Sequence, residues 1–115
     1  MELNEILIKI NADENQIKQT FSGNMTLYQR FLKKFPADPT YASLCEAVKN
    51  GDAKPIEVAA HTMKGLAGNL GLGILFSLST ELLGEVRNGN DDAVAPLMEK
   101  LTAEYERVIS YIGFL

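Results

Sequence analysis

The spacing of apolar residues between Ile56 and Leu70 constrains this chain more than any other feature. Ile56, Ala60, Met63, Ala67 and Leu70 follow one another at intervals of 4, 3, 4 and 3. That rhythm lays a continuous apolar stripe along a helix, and it does not fit a strand, whose faces alternate at every second residue. At about 100° per residue His61 projects well away from the stripe, and Lys64, Gly65 and Gly68 share its side. Two glycines inside such a helix each cost about 1 kcal/mol relative to alanine. Neither caps the helix, because Leu66, Ala67 and Leu70 carry the pattern past them. Glycines at +4 and +7 from His61 remove the side chains that would wall off its imidazole. Something large must reach this histidine.

The same spacing recurs along most of the chain. Leu3, Ile6, Leu7 and Ile10 predict a short first helix, and Asp13 is placed to cap a second through Ile17 to Phe21, broken by Ser22-Gly23-Asn24. Leu27, Tyr28, Phe31, Leu32 and Phe35 predict a helix from Asn24 to Phe35-Pro36. Asp38-Pro39 reads as an N-cap and first helical residue; Tyr41, Leu44, Cys45 and Val48 form the stripe, and Asn50-Gly51 the stop. Asp52 is placed to cap the histidine helix, with Pro55 tolerated in its first turn. After a tight turn at Gly71 and Gly73, Leu75, Leu78, Leu82 and Val86 predict a helix to Asn88-Gly89-Asn90. Asp91 and Asp92 open the last one, through Val94, Leu97, Leu101, Tyr105, Val108 and Ile112. Connections of about two to five residues make successive helices antiparallel neighbours. The expectation is one all-α domain over 1–115: an up-down four-helix bundle over about 38–115, preceded by helices from about 3–35.

Charge and composition narrow the function. A net charge of −4 leaves no basic footprint for nucleic acid or an anionic lipid surface. The longest nearly apolar stretch, Leu70 to Leu78, spans about nine residues, too short to insert across a bilayer. No basic segment leads into a hydrophobic one at Met1-Glu2-Leu3-Asn4-Glu5, so no secretory signal is expected. A lone Cys45 offers no disulfide, in keeping with a cytoplasmic protein, and its place on an apolar stripe reads as core.

Hydrolase and nucleotide chemistry find no support. There is no Gly-x-Ser-x-Gly elbow and no Gly-x-x-x-x-Gly-Lys-Ser/Thr loop. Gly68-Asn69-Leu70-Gly71-Leu72-Gly73 follows no strand and reads as a turn between helices. With a single histidine and no Glu-x-x-His spacing, no metal site is expected. A histidine on a polar helix face is ordinarily just solvated. Here, however, Lys64 lies one turn on, where its ammonium can neutralise an anion carried by the imidazole, and the glycines clear the approach. Glu57, four residues before His61, is placed to hold the ring by a hydrogen bond, though an ordinary surface pair explains it equally well. What remains is a nucleophilic imidazole with no activating machinery of its own, suited to accept a phosphoryl group and pass it on.

His61-x-x-Lys64-Gly65, with Ala67, Gly68 and then Leu70-Gly71, resembles the signature of the histidine-containing phosphotransfer domain of multistep two-component phosphorelay signalling. The turn Phe21-Ser22-Gly23-Asn24 before the first long helix and the lengths of the final helices extend the likeness over essentially the whole chain. The resemblance implies that His61 accepts the phosphoryl group, through its distal ring nitrogen, and that Lys64 steadies the phosphoryl oxygens. Gly65 would let a partner's active site close over the ring, with Gly68 supporting that clearance. The partners it implies are a response-regulator receiver domain, which brings the aspartate and the magnesium ion, and a hybrid histidine kinase. It also implies a monomeric phosphocarrier without a nucleotide site or cofactor of its own. Many family members place a glutamine or glutamate 22 residues after the histidine to hold the other ring nitrogen; here that position is Leu83, and Glu57 is the substitute candidate. Val58, Phe76 and Leu83 are candidates for an apolar docking surface, with core packing the favoured account of Phe76 and Leu83. Two other readings stay open: a helical adaptor whose histidine is incidental, and the detached phosphorylatable domain of a chemotaxis-type histidine kinase.

Overall fold

Polar caps and left-handed turns punctuate the chain into helices in a computed structural model that describes all of residues 1–115. These are α1 (Leu3–Lys9), α2 (Glu14–Thr20), α3 (Met25–Lys34), α4 (Thr40–Asn50), α5 (Ala53–Asn69), α6 (Gly73–Arg87) and α7 (Val94–Ile112). Short 3-10 turns at Phe35–Ala37 and Asp91–Ala93 lead into α4 and α7, and there is no strand. The architecture is all-α. α5 packs against α4 on one side and α6 on the other, while α7 rests on α6 and α4 and closes the four-helix bundle.

The caps follow the side-chain chemistry with local exceptions. Asp13 accepts from the Gln16 N–H at 3.1 Å, and Asn24 accepts from Leu27 at 3.0 Å, satisfying first-turn donors of α2 and α3. Asp38 accepts from the Thr40 N–H at 2.8 Å, as an N-cap should, although regular helix begins one residue after Pro39. Asp52 stands at the N-cap of α5 with extended backbone, but its carboxylate takes no first-turn hydrogen bond. Of the two glycines expected to turn the chain after α5, only Gly71 does so, at φ +69°; Gly73 already belongs to α6. Gly71 closes a Schellman motif, with Leu72 donating to Ala67 at 2.9 Å and Gly71 to Gly68 at 3.3 Å.

The stripes fill one continuous core. Met63, Leu75, Leu82, Leu101 and Val108 of the bundle are completely enclosed, and Ile6, Ile10, Ile17, Tyr28 and Leu32 of α1–α3 join the same cluster. Enclosing each aliphatic side chain of this size contributes about 1.5–3 kcal/mol. α1 is tied to α7 by Arg107, which donates to the Lys9 carbonyl at 2.6 Å. Glu104 orients that guanidinium from 2.9 Å and raises its already high pKa.

Candidate functional site

α5 presents opposite faces to core and solvent. Ile56, Ala60, Met63, Ala67 and Leu70 are all buried, while His61 and Gly65 are exposed and Lys64 is half-buried. A Cβ at Gly65 would meet no heavy atom within 4 Å, so the space one turn beyond the imidazole is open. Gly68 is a different case. A Cβ there would lie 3.3 and 3.4 Å from the ring of Phe76, which occupies the ground a side chain would take. Gly68 therefore admits an aromatic ring from α6 and does not extend the clearance around His61. The Lys64 Nζ stands 5.8 Å from the centroid of that same ring.

On the other flank, Glu57, Val58, His61, Thr62 and Arg87 line a shallow concavity of about 300 Å³. The Arg87 Nε donates to the Glu57 Oε1 at 3.2 Å, bridging α6 to α5. That contact, and no hydrogen bond to His61, is what Glu57 makes here. Arg87 was not among the residues the sequence singled out, since neither motif nor periodicity marks it. Its one signal is its position a turn beyond Leu83 on α6. Leu83 itself is 2 % exposed and belongs to the core, so the docking surface considered above loses it. Val58, at 56 % exposure, and Phe76, at 37 %, remain at the surface, on either side of His61. No group of three His, Cys, Asp or Glu side chains comes together in a way that could hold a metal ion. The largest cavity, about 530 Å³ between Phe21, Phe31, Phe35 and Leu66, does not include His61.

A family model for the Hpt domain matches residues 27–111, from the first turn of α3 almost to the end of α7. The chain belongs to the Hpt family. No curated protein and no solved structure gives a match. Membership assigns this Hpt domain to histidine phosphotransfer in phosphorelays, as a phosphocarrier module that interacts with receiver or kinase components of two-component systems. None of its helices is long and apolar enough to cross a membrane.

The carbonyls at the end of α5 in this Hpt domain are taken up by segments outside the bundle. The Gln16 side-chain amide donates to Gly68 at 2.6 Å, the Tyr28 hydroxyl to Leu70 at 2.8 Å and the Asp13 N–H to Gly71 at 3.0 Å. Helix C-termini leave such carbonyls without intrahelical partners. α2 and α3 thus anchor the helix that carries His61 from the end beyond it. Burial pushes the Tyr28 phenol well above the ordinary tyrosine range, which keeps it a hydrogen-bond donor.

Proposed function

We propose that His61 is the phosphoryl acceptor of this Hpt domain, relaying the group between aspartates of receiver domains. Its neutral ring attacks phosphorus through the distal nitrogen, Nε2, as the bond from phosphorus to the aspartyl oxygen breaks. The bonding pair returns to the aspartate. A dianionic acyl phosphate and a neutral imidazole thereby give a carboxylate and a monoanionic phosphoimidazolium, and charge is conserved. Lys64 steadies the phosphoryl oxygens from one side. Arg87, paired with Glu57, lines the concavity it shares with His61.

The observation that carries this reading is an exposed, solitary histidine directly opposite a buried stripe, with open space at Gly65, in a chain of this family. The receiver domain supplies the aspartate and the magnesium ion. Val58 is the apolar contact it meets beside the ring. The domain works as a monomer in the cytoplasm, with a hybrid histidine kinase upstream. Incubation with a phosphorylated receiver domain should yield an acid-labile, base-stable phosphoprotein, and His61→Gln should remain unlabelled. A wild-type protein that stays unlabelled against several receivers from its own cell would leave an adaptor as the function.

A further inference from the structure

We infer that Phe76 is a positioning residue for Lys64: its ring, seated against the bare backbone at Gly68, holds the lysine ammonium on the His61 face without neutralising it. This rests on the reading of His61 as the phosphoryl acceptor. Two independent contacts meet on one side chain. Underneath, Gly68 provides the seat, since any Cβ there would crowd the ring at 3.3 Å. Above, the Lys64 Nζ lies 5.8 Å from the ring centroid, within the range at which the electron-rich face of an aromatic attracts a cation. Lys64 makes no ion pair, and its ammonium makes no hydrogen bond. The ring is what holds it.

The chemistry of the partner matters. A carboxylate would fix the lysine equally well, but it would occupy N–H donors and cancel the charge that a phosphoryl group needs. Arg87 shows that arrangement, tied to Glu57 at 3.2 Å. A ring face accepts no conventional hydrogen bond, so all three ammonium donors stay free for phosphoryl oxygens. It also narrows the rotamers of a long, flexible side chain before the phosphoryl group arrives. A phenylalanine that is 37 % exposed in the first turn of α6, where neighbouring Leu75 is fully buried, is accounted for by this role and not by core packing.

A double-mutant cycle tests it, with single-turnover transfer from a phosphorylated receiver measured at saturating receiver. Phe76→Leu should slow transfer about two- to fivefold, the size of an exposed cation–π contact. In a Lys64→Ala background the same substitution should have no further effect. Phe76→Tyr should restore the rate, and Gly68→Ala, which lifts the ring, should reproduce the loss in the Lys64 background only. Independently of transfer, the Lys64 ε-methylene protons should show an upfield ring-current shift by NMR that Phe76→Leu removes and Phe76→Tyr keeps. Equal slowing by Phe76→Leu with and without Lys64 would mean that the ring meets the receiver itself, and would overturn the proposal. So would a Lys64 spectrum that Phe76→Leu leaves unchanged. If the wild type takes no phosphoryl group, the acceptor reading fails, and the ring-current shift alone decides the Phe76–Lys64 contact.

Discussion

Within the 17 residues of α5 and the turn that follows, two stretches treat the backbone in opposite ways. Around His61 and Gly65 the helix is stripped: one side chain carries the chemistry, and the position a turn beyond it is left open. From Gly68 to Gly71 the backbone is gripped. Phe76 lies against Gly68, Ile17 closes on Gly71, and Gln16, Tyr28 and Asp13 take up the carbonyls of Gly68, Leu70 and Gly71. The three glycines of one short motif therefore answer to different demands. Gly65 serves access, Gly68 seats a ring, and Gly71 combines a left-handed turn with close packing. An open face on a single helix can be kept in place only if the helix is held elsewhere, and here the hold is concentrated just past the opening.

The largest effect separating the two stretches is expected at Gly65. Gly65→Leu should reduce transfer by more than about a hundredfold, because the new side chain enters the space a partner's active site must fill, which corresponds to about 3 kcal/mol of barrier. Its thermal stability should hold or rise by somewhat under about 1 kcal/mol, since leucine is the better helix former. Wild-type transfer rates in that variant would mean that the open space is not an approach route. Gly71→Ala should do the reverse. A methyl there would stand 2.5 and 2.7 Å from side-chain carbons of the fully buried Ile17, on backbone at φ +69°. The left-handed conformation and the overlap together should destabilise by about 2–4 kcal/mol in a denaturant titration. Phosphorylation of whatever fraction remains folded should persist.

Smaller changes sharpen the contrast. Tyr28→Phe strips a buried carbonyl of its donor and should cost about 1–2 kcal/mol, with transfer little altered in the folded protein. It should also change the alkaline limb of stability. The Tyr28 phenol titrates above its unfolded value, so the unfolded chain releases its proton first. The contribution is complete below about pH 10 and is lost as pH rises beyond it. Tyr41 and Tyr105 are shifted in the same direction by burial, so Tyr28→Phe should shallow the decline without removing it. Lys64→Ala should slow transfer about tenfold, or about 1.4 kcal/mol of barrier. Circular dichroism should show its helix unchanged. An unaltered rate would remove Lys64 from the site.

Much of this arrangement was legible before any coordinates. The 4-3-4-3 stripe from Ile56 to Leu70 placed His61 opposite the core, and the Asn50-Gly51 and Asn88-Gly89-Asn90 stops fell at the ends of α4 and α6. The turn at Gly71 was legible for the same reason, because a left-handed residue after a helical stripe is a local event. Less legible was what each glycine is for. From spacing alone Gly65 and Gly68 look alike, both on the histidine's side, and only the ring arriving from α6 tells them apart. Leu83 could be read as surface or core until α6 was packed, and the Glu57–Arg87 pair joins residues 30 positions apart that no motif connects.

By itself the sequence determined the helices, their order, the solitary histidine and the direction in which it faces, because a periodic pattern places each residue about the axis of its own helix. Only the tertiary structure decided what stands opposite each position. Gln16, Tyr28 and Asp13 reach carbonyls between 42 and 58 residues away, and Phe76 comes to rest on Gly68 and under Lys64. The angle about one axis is a local quantity. The rotation and offset between two axes depend on how every side chain in the shared core fills its space, and that is what places one helix's side chains against another's backbone.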